Sequence, residues 1–385
     1  MGRCDKYILF ITFLLVLIGA LMIYSTTSVV TPLLKEKGIT EFYYLKRHLF
    51  TIMVSFIFLL VGYFIKPETL KRSSILLLFL SLVLLILVFV PGVGVTYNGA
   101  TRWIRLWPST LQPSEFVKLS MVIFLAYYVS RPNYRADNFL HFVIPVVIMS
   151  TFALIIIKQP DFGAAMSLVF LTLIILFLSG TKVKYITSLL LFIIPVVIKL
   201  VKEPYRLKRI YAYLNPWEDP LGSGFHLIQS FLAFGRGGIT GVGLGNSRQK
   251  LAYLPESHTD FIFSIIGEEF GLIGVTLILG LFIFLFIRCI SVANNSKNDL
   301  FVHYLTIGLS LMITMQALIN FAVTTGLVPT KGLPLPFISY GGSSLLVNMV
   351  AIGMILRISK YKDVKQVQMN NYRVLKDRGK RSYVY

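Results

Sequence analysis

What most constrains this chain is a succession of ten apolar segments, each near the ~20 residues a helix needs to cross a bilayer. They fall at roughly 7–29, 48–65, 73–91, 115–130, 141–157, 163–180, 185–200, 260–287, 299–326 and 341–358. None alternates apolar and polar residues with period two, which favours helices over a transmembrane barrel. Of the 385 residues 56% are hydrophobic and only 14% charged, where a soluble domain carries about a quarter charged. The expected fold class is an all-α integral membrane protein with ten transmembrane helices. The first segment reads as an anchor, since it lacks a small-x-small cleavage site and nine further spans follow.

Orientation follows from Lys and Arg in the short loops. One side collects Arg3, Lys6, Lys66, Lys71, Arg72, Arg131, Arg135, Lys182, Lys184, Arg288 and Lys297, and the tail from Arg357 adds more. Both termini are therefore expected in the cytoplasm. Segment 199–259 becomes a large extracytoplasmic loop between helices seven and eight. The chain divides into a polytopic membrane domain, 1–358, and a basic cytoplasmic tail, 359–385, expected to lie near anionic lipid. The net charge of +20 suits anionic lipid, nucleic acid or an anionic substrate. Its dispersal among membrane loops argues against nucleic acid. Cys4 and Cys289 fall on the cytoplasmic side without metal-ligand spacing, and no disulfide is expected.

This orientation turns the polar, Gly- and Pro-rich segments outward, together with all three tryptophans, so function is expected on the outer face. In "LPESHTDFIF" (254–263), Asp260 stands at the lip of span eight beside His258. It is either a helix cap or a base working in a partly dehydrated cavity. Glu268 and Glu269 follow about 12 Å deeper, where a carboxylate needs a partner or a water-filled cavity. Gly267, Gly271 and Gly274 give the same span a small face for close packing.

In "NGATRWIRLWPSTLQPSEFVKL", Arg102 and Arg105 suit a phosphate clamp. Trp103 suits a sugar face or the headgroup level. Pro113 fits the first turn of span four, and Glu115 can pair with Lys118 three residues on. An aromatic-belt anchor explains the same residues. In "PTKGLPLPFISYGGSS", Lys331 sits in a loop that Pro334 and Pro336 keep out of regular helix. Ser339 and the glycines then lead into span ten, an entry suited to an anion. "GRGGITGVGLGNSRQK" (235–250) lacks the Lys-Ser/Thr order of a nucleotide loop, and 224–234 is apolar enough to lie as an amphipathic helix along the interface. Several cations, one placed carboxylate and stacking aromatics together suit an anionic, sugar-bearing lipid.

These motifs, with "QPDFG" (159–163), resemble those of the SEDS family (shape, elongation, division, sporulation), which groups FtsW, RodA and SpoVE. The resemblance covers residues 5 to 360. "GVGLGNSRQK" and "PTKG" bring it nearer the FtsW and SpoVE branch. Trp107-Pro108 departs from the family, which more often has Gly after "RWI-x-L". The resemblance implies ten transmembrane helices and a peptidoglycan glycosyltransferase that polymerises lipid II in cell division or cell-wall synthesis. It implies Asp260 as the catalytic residue, with Arg102, Trp103, Glu115, Lys118, Asp161, Arg248, His258, Lys331 and Ser339 around the substrate. The implied partners are a class B penicillin-binding protein and other division or elongation proteins, in the bacterial plasma membrane with the active site outside. The resemblance implies no definite cofactor, and a divalent cation such as magnesium or manganese is compatible with a pyrophosphate substrate. A lipid II flippase and a non-catalytic division scaffold are the alternatives.

Overall fold

The computed structural model describes residues 4–27, 42–97, 99–106, 109–250 and 258–360. The elements run α1 (Lys6–Thr27), α2 (Tyr43–Phe64), α3 (Pro67–Leu87), β1 (Gly94–Tyr97), β2 (Ala100–Leu106), β3 (Ser109–Leu111), α4 (Pro113–Val129), α5 (Phe139–Lys158), α6 (Phe162–Leu178), α7 (Val183–Val201), α8 (Pro204–Leu214), α9 (Phe225–Gly237), α10 (Ile262–Asn294), α11 (Leu300–Thr324) and α12 (Gly342–Lys360). Among the described residues, seven helices are long and apolar enough to cross a membrane: α1, α2, α3, α5, α10, α11 and α12. The expected spans four, six and seven correspond to α4, α6 and α7. The first two have 17 residues each, and the apolar part of α7 runs Val183–Pro195.

Local chemistry sets the helix starts. Pro67, Pro113 and Pro204 sit in the first turns of α3, α4 and α8, where a missing N–H costs nothing. Asn138, Asp161 and Asp299 cap α5, α6 and α11 by accepting from backbone N–H groups. Helix α4 is the core element, with most of its residues buried against α3 and α11. The large apolar side chains exposed on α1, α2, α3 and α7, among them Phe10, Ile57, Phe79 and Phe192, form the surface that lipid would cover.

The chain ends that the charge bias assigns to one side gather at one end of the bundle. Arg288 Nη2 contacts Asp5 Oδ2 at 2.5 Å, the Asp5 N–H donates to Ser359 Oγ at 3.1 Å, and Lys360 Nζ donates to Tyr63 Oη at 3.1 Å.

Two expectations are corrected. The chain is not purely α-helical, because Gly94–Tyr97, Ala100–Leu106 and Ser109–Leu111 form a three-stranded antiparallel sheet in the order β1-β2-β3. The Asn98-Gly99 pair in the sequence is the two-residue hairpin signal, and Gly99 adopts φ +74°. Segment 199–259 is not an open loop: it carries α8, a 3-10 turn at Pro216–Glu218 and α9. Helix α9 falls on the 224–234 stretch that reads as amphipathic, with Leu227, Ile228, Ser230 and Ala233 buried against α10 and α11.

The glycine-rich stretch after α9 serves the fold. Helix α10 breaks at Gly271, which takes φ 62°. The freed backbone groups are paired by the incoming chain: the N–H groups of Val242 and Gly243 donate to the carbonyls of Glu268 and Glu269. Those of Leu272 and Ile273 donate to the carbonyls of Gly238 and Ile239. Such pairing is required where no water reaches the backbone. It needs near contact of main chains: a Cβ on Gly237 would meet the Gly267 carbonyl oxygen at 1.9 Å, and one on Gly241 the Glu269 carbonyl oxygen at 2.2 Å. At Gly274 the atoms nearest to an added Cβ belong to Phe270 and Ile266 of its own helix. The segment 251–257, the Trp107-Pro108 pair and the basic tail from 361 lie outside the described residues.

Candidate active site

A cavity of about 810 Å³ opens at the end of the bundle remote from Asp5 and Lys360. Arg102, Trp103, Asp260 and Lys331 all line it, although they lie as far apart as β2 and the loop before α12. Among its described lining residues Asp260 is the one carboxylate, facing the cations Arg102, Lys208, Arg209 and Lys331. A pocket of that size with convergent polar groups is the usual form of a ligand site.

The capping position of α10 falls one residue after Asp260, at Phe261, which makes no side-chain cap bond. The Asp260 backbone is held from behind. Asn320 Nδ2 of α11 donates to the Asp260 carbonyl and to the Leu333 carbonyl, both at 2.8 Å. One buried amide thus ties the carboxylate-bearing turn to the loop of Lys331. Ser339 Oγ donates to the Thr259 carbonyl at 2.5 Å and accepts from the Leu335 N–H at 2.8 Å. The Tyr340 N–H donates to the His258 carbonyl at 2.9 Å. A Cβ on Gly332 would lie 2.5 Å from Asp260 Oδ2, so only glycine leaves the carboxylate its place.

Arg102 is fixed from the α5–α6 turn. Its Nε donates to the Gln159 carbonyl at 3.2 Å and its Nη2 to the Pro160 carbonyl. Trp103 stands edge-on to Tyr97 with ring centroids 5.5 Å apart. Asp161 caps α6 through the Ala164 N–H at 3.0 Å and accepts from Gln112 Nε2 at 3.2 Å. Lys331 lies across Gly163, its Nζ 5.6 Å from the Phe162 ring centroid. Burial pushes the Lys331 ammonium down to about 8, against a smaller upward pull from Asp161.

The remaining expected residues are supports rather than cavity lining. Glu115 and Lys118 form a buried ion pair at 2.8 Å, and Lys118 Nζ also donates to Gln316 Oε1 at 2.9 Å. Gln316 Nε2 passes the network to the Pro334 carbonyl and Ser344 Oγ. The His258 ring packs against Tyr44 and Tyr340. Arg248 is exposed and outside the cavity lining, and its backbone N–H donates to Glu268 Oε1 at 3.0 Å. Arg105 is likewise exposed and does not line the cavity.

Glu268 and Glu269 are structural. Glu268 accepts from Ser247 Oγ, from the Arg248 and Gln249 N–H groups, and from Arg236 at 3.3 Å. Glu269 accepts from Ser25 Oγ at 2.6 Å and lies 3.4 Å from Lys250 Nζ.

Sequence reasoning missed Lys208, Arg209 and His226, which line the cavity from the folded 199–259 segment. Arg209 Nη1 donates to the Thr330 carbonyl at 3.3 Å, next to Lys331. It also missed Asn320, whose signal was a second amide, four residues after Gln316, inside an apolar span.

Among the described residues, no group of three or more His, Cys, Asp or Glu could hold a metal ion. Asp260 alone is too small a donor set for a protein-held site.

The fold is that of a polytopic membrane bundle, with a cavity at one end that is rich in cations and holds one carboxylate among its described lining residues. The chain belongs to the FtsW/RodA/SpoVE family of cell cycle proteins, whose profile matches residues 5–364. It is 43% identical over 359 residues to the probable peptidoglycan glycosyltransferase FtsW of Geobacter sulfurreducens (strain DL-1 / KN400), covering 93% of this chain and 95% of that one. It is 42% identical over 360 residues to stage V sporulation protein E of Bacillus subtilis, covering 93% and 97%. A solved chain from a peptidoglycan synthase complex that coordinates polymerization and crosslinking superposes with a TM-score of 0.75 at 28% identity, over 93% of this chain and 98% of that one. The crystal structure of Thermus thermophilus RodA shares the fold, with a TM-score of 0.68 at 24% identity over 93% and 97%.

Proposed function

We propose that this chain is a peptidoglycan glycosyltransferase that polymerises lipid II, with Asp260 as general base. The observation that carries the reading is the meeting of Asp260 with Arg102, Trp103 and Lys331 in one cavity. The names of the relatives support the same reaction class. Lipid II is a disaccharide-pentapeptide on undecaprenyl pyrophosphate, and it stays tethered to the membrane. Its attacking sugar 4-hydroxyl therefore has to meet a base at the membrane's outer lip.

In this reading Asp260 accepts the hydroxyl proton as the oxygen attacks the donor anomeric carbon. The C–O bond forms as the anomeric bond to pyrophosphate breaks, and the pyrophosphate leaves with the bonding pair. An α-linked donor giving a β-1,4 bond inverts in one displacement, so one carboxylate suffices and no covalent intermediate forms; the retaining two-carboxylate scheme is not needed. A positioned base contributes about 10²–10⁴-fold. Arg102 and Lys331 stabilise charge on the leaving pyrophosphate, and Trp103 offers a face to a sugar. A divalent cation carried in on the pyrophosphate would need only one carboxylate, and no step here depends on it.

The proposal includes ten transmembrane helices, cytoplasmic termini and an extracytoplasmic active site in the bacterial plasma membrane, with a class B penicillin-binding protein as partner. The test is polymerisation of purified lipid II by the purified chain and that partner, with penicillin present to silence transpeptidation. Asp260→Asn should abolish glycan chains on a lipid II gel while its thermal unfolding stays close to that of the unsubstituted protein. Near-normal chains from the folded variant would refute Asp260 as base. Translocation of lipid II without polymerisation would favour the flippase.

A further inference from the structure

A second cavity, of about 490 Å³, lies between the turn joining α2 to α3 and the carboxyl end of α12. It is lined by Lys66, Glu68, Thr69, Arg72 and Arg357. Arg357 is 17 positions beyond Tyr340 of the active-site cavity, about 25 Å along a helix, so this cavity belongs to the opposite end of the bundle.

Three observations bear on its use. Three cations face one carboxylate, and Glu68 has contacts of its own. Arg357 Nε is buried without a hydrogen-bond partner among the described residues, and a guanidinium N–H shut from water without an acceptor is costly. Finally, Arg72 heads a stripe on α3 that continues through Ile75, Leu76, Phe79, Val83 and Ile86, all exposed. These positions recur at helical spacing, so cation and apolar residues share one face.

A soluble anion would explain the cations but not the stripe. We infer that this cavity holds the phosphate headgroup of an anionic membrane lipid, whose acyl chain lies along the Ile75–Ile86 face of α3. The charge bias puts this end at the cytoplasmic leaflet, where anionic lipid attracts basic residues. The headgroup bridges Lys66 and Arg72 at the start of α3 to Arg357 of α12, and α2, which leads into α3, already touches α12 through its backbone: a Cβ on Gly62 of α2 would meet the Val350 carbonyl oxygen of α12 at 2.4 Å, and one on Gly353 the Leu59 carbonyl oxygen at 2.1 Å. A ligand that binds only the packed form stabilises it, so the lipid holds the carboxyl end of α12 against the start of α3.

The test uses the full chain, purified in non-ionic detergent, stripped of lipid and titrated with phosphatidylglycerol or phosphatidylcholine. Bound lipid is read by native mass spectrometry and the unfolding temperature is followed in parallel. Phosphatidylglycerol should bind about tenfold more tightly than phosphatidylcholine and raise the unfolding temperature. The double variant Lys66→Gln/Arg72→Gln changes two exposed residues outside the catalytic cavity. It should weaken phosphatidylglycerol by about tenfold or more, the scale for two basic contacts at a membrane surface, and leave phosphatidylcholine unaffected. Equal binding of the two lipids, or unchanged phosphatidylglycerol binding by the folded variant, would overturn the assignment. So would displacement of the lipid by soluble glycerol 3-phosphate at matched concentration, since the site would then hold a free phosphate.

Discussion

Lys331 is seated where burial lowers its ammonium to about 8 from an ordinary 10.5. Roughly 2.5 units at about 1.4 kcal/mol each make the charged form about 3 kcal/mol costlier here than in water, to order of magnitude. Two opposite pH dependences follow. Below about 8 the folded and unfolded chains both carry the proton, and folding bears the full cost of burying the charge. Between about 8 and 10.5 the unfolded chain binds more protons, so this group makes stability rise with pH. Anion handling runs the other way, because the free protein loses the Lys331 charge as pH passes 8. From pH 7 to pH 9 the protonated fraction drops from about 90% to about 10%. The lipid II concentration giving half-maximal rate should therefore rise by up to about tenfold over that interval. The assay is initial polymerisation rate against lipid II concentration at several pH values, with the partner saturating. In Lys331→Arg the guanidinium stays charged, and this rise should vanish. In Lys331→Met the weakened dependence should hold at every pH. A Lys331→Arg profile that superposes on that of the unsubstituted protein would refute Lys331 as the titrating anion contact.

Three further outcomes are expected. Gly332→Ala places a methyl 2.5 Å from the present position of Asp260 Oδ2; displacing the carboxylate should cut the rate about 10²-fold with little change in circular dichroism. Ser339→Ala removes the bonds to Thr259 and Leu335 and should lower kcat while leaving KM for lipid II unchanged, whereas a substrate contact at Ser339 would raise KM. Glu268→Ala leaves Arg236 and the 247–249 backbone without their acceptor; a loss of about 3–5 kcal/mol is expected, visible as a lower unfolding temperature in detergent, with partial recovery in Glu268→Gln.

The sequence by itself determined that this is a multi-span membrane protein, because hydrophobic length is a local property and each apolar run carries its own signal. It also marked Asp260, Arg102, Trp103 and Lys331, because a charge or ring at the edge of an apolar run stands out against its neighbours. The hairpin at 94–106 was legible too, from Asn98-Gly99, but the surrounding span pattern drew that segment into the loops.

What only the tertiary structure decided was which marked residues meet. The Glu115–Lys118 pair was legible from its three-residue spacing, but the partner that draws Lys118 inward, Gln316, lies 198 residues beyond it. Arg248 carries a charge on the same segment as Arg209, yet Arg209 lines the cavity and Arg248 does not. Glu268 and Glu269 looked like deep, costly charges. Their partners Ser25, Arg236, Ser247 and Lys250 come from other segments, and the break at Gly271 that admits residues 238–243 exists only because those residues arrive to pair with it. A buried charge is tolerated by whatever polar groups the fold brings to it, and contacts between distant segments leave no periodic trace along the chain.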